Sequence, residues 1–219
     1  MPHIGEPQAA ITRSGTIWPR QPNTSPFYPW RTNLPYSPPR TLRSAAELVA
    51  AGLLTADQAA AATQAAQALP IALPPRLREL IDPSDSADPI ARQFVPSAEE
   101  LTVTAEELSD PIGDRALSPV KGIVHRYPDR VLLKPLLVCP VYCRFCFRRD
   151  QVGPDGGMLT PAELDAALAY ITARPEIWEV VRTGGDPLML SANRLGALLA
   201  RLSAISHIAV IRLHSRCPI

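Results

Sequence analysis

The sequence lacks an excess of charge of either sign, any apolar run of membrane length and, most of all, lysine. Its 22 Lys and Arg against 21 Asp and Glu leave a formal net charge of +1, and neutralising a phosphate backbone takes a concentrated basic surface that this balance does not supply. Nucleic acid is therefore not an expected partner. The longest apolar stretch, Val131 to Val141, is too short to span a bilayer and carries Lys134. The opening MPHIGEPQAAITRSG has no continuous apolar core of the kind a secretion signal needs. No membrane partner and a cytoplasmic location are the resulting expectations. There are four cysteines, three of them within eight residues, and without export such crowding favours metal binding over disulfides. Lys121 and Lys134 are the only lysines, so chemistry that needs a side-chain amine has two candidates.

Proline, by contrast, is abundant, with 25 residues. It crowds residues 1–40, as in SPFYPW and LPYSPPR, where regular helix and central strand are both disfavoured. This segment reads as an extended arm. Its Trp18, Phe27, Tyr28, Trp30 and Tyr36 suit a segment lying on a folded surface, and partial disorder is the other reading. Residues 41–120 read as a helical N-terminal region. Ser44 to Leu69 is Ala-rich, Gly52 separates two helical runs, and Thr55 and Gln58 have the spacing of a capping box, so a helical hairpin is predicted. A short helix is predicted over Pro75 to Ile81, with proline in the first turn where its missing N–H costs nothing. Asp82 to Val120 carries mixed signals, including Asp-Pro pairs that favour turns. No internal repeat is present.

The pattern changes after Arg130. VLLKPLLV is an apolar run of strand length, and Thr160 to Ala173 opens with Thr-Pro-Ala-Glu, an N-cap with proline at the first helical position and glutamate at the third. WEVVRTGG then predicts a second strand, SANRLGALLARLSAI a second helix, and HIAVIRLHS a third strand. Such alternation implies an α/β fold of parallel strands joined by right-handed crossovers. Three strands cannot close a barrel, so residues 121–219 are expected to be the first, incomplete part of a domain.

Within that part, CPVYCRFC places Cys139, Cys143 and Cys146 at C-x3-C-x2-C spacing just after the first predicted strand, where α/β folds carry their ligand-binding loops. Thiolates are the ligands of iron-sulfur clusters, and four usually complete a 4Fe-4S cluster. Three would leave one iron open to a small molecule, by the logic that separates open catalytic metal sites from closed structural ones. A zinc site completed by His or Cys217, or a redox thiol pair, are the alternative readings.

In this setting the cysteine loop resembles the hallmark of radical S-adenosylmethionine (SAM) enzymes. SPVKGIVHRYPDRVLL, CRFCFRR, TGGDPLML and IRLHSR resemble consecutive motifs of the lysine 2,3-aminomutase family, and DPIARQFVP resembles its N-terminal region. The likeness runs from about Asp88 to Ile219, is weaker through the preceding helices, and does not extend to the arm. It implies a partial (β/α) barrel of the radical SAM type, truncated after about three parallel strands. It also implies an isomerase that moves an amino group between adjacent carbons. The cofactors implied are a 4Fe-4S cluster on Cys139, Cys143 and Cys146, SAM chelated by the open iron and cleaved to a 5'-deoxyadenosyl radical, and pyridoxal 5'-phosphate (PLP).

The same resemblance assigns roles. Phe145 would touch the adenine of SAM, with plain packing as the alternative. Gly184, Gly185 and Asp186 would receive its amino group, although Gly-Gly-Asp-Pro also makes a good turn. Ser215 and Arg216 would join that pocket, where LHSRCP departs from the family's commoner small-residue version by placing His214 and Cys217 there. Arg148 would bind the substrate carboxylate through its guanidinium fork, or else be a surface arginine. Arg126 and Arg130 would contact the PLP phosphate, or else pair with Asp129 or Asp114. The lysine that forms the PLP Schiff base, and the acidic residues that select the substrate's distal amine, would lie beyond Ile219.

The implied partners are lysine, a similar amino acid or a protein lysine on elongation factor P, together with a reducing electron donor. A homo-oligomer formed through the arm and helices is a further expectation. Two readings compete: an inactive, truncated cluster-binding fragment, which a stop codon after Ile219 would favour, and a zinc-stabilised interaction module, which metal analysis would reveal.

Overall fold

A computed structural model describes residues 40–216. The arm before Arg40, with its aromatic residues, lies outside them, as does Cys217. The helical region begins as its sequence dictates. The Ser44 hydroxyl accepts a hydrogen bond from the Glu47 N–H at 3.2 Å and caps helix α1, Ala45–Ala50. Gly52 ends that run with φ +73, a left-handed conformation that favours glycine. Before helix α2, Ala59–Ala68, one half of the expected capping box forms, the Thr55 N–H donating to Gln58 Oε1 at 2.9 Å. Paired backbone hydrogen bonds between Leu42 and Leu73, at 3.0 and 2.9 Å, bring the two ends of this hairpin region together. Two single-turn helices follow, α3 (Pro75–Arg78) and α4 (Ala91–Phe94), the first with proline in its first turn as predicted. Leu42, Leu48, Leu73, Leu77 and Phe94 form the core of this region together with Val141, which belongs to the cysteine-bearing loop.

The remainder is an open α/β layer. Strands β1 (Ile123–Tyr127), β2 (Arg130–Leu133), β3 (Glu179–Arg182) and β4 (Val210–Leu213) lie side by side in chain order. Strands β2, β3 and β4 are parallel, with Val131 opposite Val180 and Val180 opposite Ile211. Helix α5 (Pro161–Thr172) connects β2 to β3, and α6 (Ala192–Ser203) connects β3 to β4. Leu168 and Ile171 of α5 and Leu198 and Leu202 of α6 bury one face of the sheet over Val131, Leu133 and Val180.

The expected run of three parallel strands is corrected in two respects. The sheet has four strands and is mixed, because β1 pairs antiparallel with β2. Pro128 and Asp129 make a two-residue turn with Tyr127 opposite Arg130, and both are turn-forming residues. Strand β2 also stops at Leu133 rather than running on to Val138, since Pro135 has no N–H for the ladder. The sheet remains open at β4 among the described residues, an arrangement loosely compatible with part of a barrel.

Helix α5 supports one prediction. Thr160 and Glu163 form a complete capping box, and Lys121 Nζ reaches Glu163 Oε1 at 2.7 Å. The hydrogen bond from Lys121, with those from Thr160, lowers the Glu163 carboxyl from its ordinary 4.5 to about 2. A carboxyl depressed in the folded state stabilises it above the unfolded pKa, and the contribution fades as pH falls toward the folded one. Glu163→Gln is therefore expected to weaken the chain at neutral pH and to flatten its loss of stability between pH 4.5 and about 2. Thermal unfolding across that range measures both effects.

Candidate functional site

Cys139, Cys143 and Cys146 lie on the long connection between β2 and α5, at the carboxyl end of the strand, all three as half-buried free thiols. The loop turns tightly between the last two, the Cys146 N–H donating to the Cys143 carbonyl at 2.9 Å. Cys139 and Cys146 pack against a small core of Leu69, Ala72, Tyr142 and Val152, whereas Cys143 packs against the core of the helical region. Burial pushes the Cys139 thiol up to about 12, with the neighbouring Cys146 adding to the effect. Burial also raises Cys143, while the Arg216 guanidinium pulls it back down.

The turn after β3 is fastened to this loop by main-chain bonds. The Gly185 N–H donates to the Leu136 carbonyl and the Asp186 N–H to the Val138 carbonyl, both at 2.9 Å. Gly184 has φ +101, and a Cβ there would sit 2.8 Å from the Lys134 Cβ; a Cβ on Gly185 would overlap the Val138 carbonyl oxygen. Glycine is therefore required at both positions by close backbone approach.

Asp186 is 4% exposed. Its carboxylate accepts from the Leu188 N–H at 2.9 Å, from Ser215 Oγ at 2.8 and 3.0 Å, and from the Arg216 N–H at 2.6 Å. The structure thus brings Gly184, Gly185, Asp186, Ser215 and Arg216 together beside the cysteine loop. Phe145 joins them: its ring is 60% exposed and lies 5.8 Å from the Arg216 guanidinium, which also approaches Phe94 at 5.5 Å.

Arg148 is buried rather than on the surface. Its Nε donates to Asp114 Oδ2 at 2.7 Å and its guanidinium stacks 4.7 Å from the Phe147 ring. Lys134 Nζ lies 3.5 Å from the same Asp114 oxygen and donates to Gln151 Oε1 at 3.0 Å. Burial lowers the Lys134 amine below its ordinary value, an effect that Asp114 opposes. A cavity of about 200 Å³ opens beside this cluster, lined in part by Lys121, Lys134, Gln151 and Met158. Both lysines of the chain therefore face one cavity.

Arg126 and Arg130 stand apart, where β1 turns into β2, at the end of the sheet opposite the cysteines. Arg126 is exposed. Arg130 is already engaged by Asp129 at 2.7 Å and Glu179 at 3.0 Å, and it lies 5.6 Å from the Trp178 ring. Glu179 is buried between Arg130 and Arg212, within ion-pair distance of each, although neither contact is aligned as a hydrogen bond. Ion pairing with Asp129 was one of the two readings of Arg130, whereas Asp114 pairs with Arg148 and Lys134 instead.

The donor chemistry of the cysteine loop suits an iron-sulfur cluster. Neighbouring thiols add to burial in raising Cys139 and Cys143, and among the described residues no group of three His, Cys, Asp or Glu side chains is arranged to hold a metal ion. Thiolates are the ligands that such a cluster takes. Of the two arginines that the resemblance assigns to the PLP phosphate, Arg130 is engaged by Asp129 and Glu179 and Arg126 is exposed. The contacts of Glu100 with Arg144, of Asp114 with Arg148 and Lys134, and of Gln151 with Lys134 were not foreseen from the sequence. The Ser-x-x-Glu spacing of Ser97 and Glu100 could have shown a cap, but not the arginines that Glu100 also holds.

The chain is similar to L-lysine 2,3-aminomutase of Clostridium subterminale, 38% identical over 166 residues that make up 76% of this chain and 40% of that protein. It is 37% identical to L-lysine 2,3-aminomutase of Bacillus subtilis (strain 168) over 179 residues, 82% of this chain and 38% of that protein. To glutamate 2,3-aminomutase of Clostridioides difficile (strain 630) it is 37% identical over 145 residues, 66% of this chain and 34% of that protein. The chain thus spans about two fifths of the length of the first of these curated relatives. No family model matches it. Among the described residues no helix is long and apolar enough to cross a membrane.

Proposed function

We propose, from the premise that the matched part of this chain is homologous to the lysine 2,3-aminomutases, that it is the cluster- and SAM-binding part of a cytoplasmic radical aminomutase acting on an amino acid. The observation that carries this reading is the main-chain fastening of the Gly184–Asp186 turn to the cysteine loop through Leu136 and Val138. Two segments far apart in sequence thereby become neighbouring walls of one site. When bound, the cluster would supply an electron to cleave SAM, and the resulting radical would abstract a substrate hydrogen.

The chain's own residues do the holding. Cys139, Cys143 and Cys146 would grip the cluster as thiolates, a loss of the proton that burial opposes at Cys139 and Cys143. Exposed Phe145 offers a flat apolar face to the adenine, and Asp186, oriented by Ser215 and the Arg216 N–H, presents its turn to the SAM amino group. Arg148, oriented by Asp114, provides the cation for a substrate carboxylate. PLP belongs to the proposal for the whole protein, and no step is assigned to it here.

The test is anaerobic reconstitution with iron and sulfide, followed by SAM, PLP and dithionite with lysine, glutamate or arginine as substrate. Bound sulfide, methionine and 5'-deoxyadenosine, and a β-amino acid are expected from the full-length gene product. Replacing any one of the three cysteines with alanine is expected to abolish all of them. Zinc without sulfide, or no product from these amino acids or from a lysine of elongation factor P, would overturn the proposal.

A further inference from the structure

A single carboxylate from the helical region holds the cysteine loop at two points. Glu100 sits in a 3-10 turn, Ala98–Leu101, where its Oε1 accepts from the Ser97 N–H at 3.2 Å. The same oxygen accepts from Arg144 Nε at 2.8 Å, and Oε2 accepts from Arg144 Nη2 at 2.6 Å and from Arg149 Nη2 at 2.8 Å. The third guanidinium nitrogen of Arg144, Nη1, donates to the Leu69 and Pro70 carbonyls at 2.8 and 3.2 Å. Its main-chain N–H donates to the Gln93 carbonyl at 2.8 Å. Arg144 is buried, and all of its nitrogens are in use.

The position of this residue gives the contacts their meaning. Arg144 directly follows Cys143 and lies two residues before Cys146, so a displacement of its backbone moves both thiols. A buried ion pair contributes little to net stability once desolvation is counted, and its best-attested use is to select one geometry over others. A planar, bidentate fork with two further carbonyl contacts restricts rotation as well as distance, which a lysine could not do.

We propose that Arg144 is a positioning residue that fixes how the Cys143 and Cys146 thiols are presented, with Glu100, Leu69 and Pro70 as its anchors. The helical region is then a working part of the thiol site. The consequence for cluster assembly rests on the function proposed above, whereas the consequence for thiol presentation does not.

The experiment uses the whole chain and its Arg144→Met, Arg144→Lys and Glu100→Gln variants, with circular dichroism and thermal melts to establish folding. In the reduced, metal-free proteins, alkylation of each cysteine by iodoacetamide is timed by peptide mass spectrometry, with Cys139 as the internal reference. Losing one charge-assisted contact is expected to raise the rates at Cys143 and Cys146 by roughly tenfold in Arg144→Met and Glu100→Gln, with a smaller rise in Arg144→Lys. After reconstitution, iron and sulfide per chain are expected to fall in the same order, and the electron paramagnetic resonance signal of the reduced cluster to shift.

Folded variants whose alkylation rates match the parent would overturn the inference. So would failure of even Arg144→Lys to fold, because the contact would then determine the fold rather than the placement of thiols. A parent chain that binds no sulfide overturns the aminomutase reading and leaves the alkylation result to stand alone.

Discussion

Replacing Arg182 with leucine is expected to stabilise the chain by about 3 kcal/mol, raising its thermal midpoint by on the order of 6–12 °C at roughly 2–4 °C per kcal/mol for a domain of this size. Arg182 is 0% exposed. It stands in β3 between Leu133 of β2 and Leu213 of β4, on the same face as Val180, the face the helices cover. Among the described residues, Nε, Nη1 and Nη2 are all buried without a hydrogen-bond partner. Burial accordingly lowers its pKa from the ordinary arginine value, and no neighbouring charge among the described residues offsets the effect. Removing one partner of a buried pair costs several kcal/mol because a charge is left uncompensated, and Arg182 is in that condition already. Leucine removes the charge and keeps most of the apolar volume. Arg182→Lys is expected to bring no such gain, since the ammonium is as costly to bury. Urea and thermal unfolding decide the matter, and a Leu variant less stable than the parent would show that the guanidinium has a partner the described residues do not include.

The second large effect is expected at Asp186. Its carboxylate joins the turn after β3 to the segment after β4 through contacts with Leu188, Ser215 and the Arg216 N–H, and it is almost wholly buried. Asp186→Ala removes these charge-assisted bonds, a loss of about 3 kcal/mol or more. Asp186→Asn keeps the shape and one acceptor and is expected to lose about half as much. Hydrogen exchange gives the local readout: the main-chain N–H of Arg216 is expected to lose protection in both variants, while Ile171 and Leu202 in the core keep theirs. On the function proposed here both variants also stop cleaving SAM, and an Asn variant with undiminished cleavage would remove Asp186 from the site.

The parts of this fold that were legible in the sequence are those written in adjacent residues. Thr160, Pro161 and Glu163 spell out the start of α5 because a helix N-terminus is satisfied within one turn. Ser44 does the same for α1. The cysteine loop and the Gly-Gly-Asp turn were legible as motifs of fixed spacing, and the structure places them side by side. Strand β1 was not legible although Pro128 and Asp129 mark its turn, because a hairpin signal of two residues is weak beside the strand and helix alternation that follows it. The pairings that organise the site were not legible at all. Arg144 meets Glu100 and Arg148 meets Asp114 across 44 and 34 residues, and no local propensity records which carboxylate a distant arginine will meet. Arg182 was read as part of a strand, and nothing in WEVVRTGG says which face it would occupy.

The absence of side chains at Gly184 and Gly185 carries a mechanical consequence. With two peptide bonds of one segment seated directly on the other, no soft layer lies between them to absorb a small displacement. The thiol-bearing stretch and the turn it touches are thus held together main chain to main chain, through Leu136 and Val138 on one side and Gly185 and Asp186 on the other.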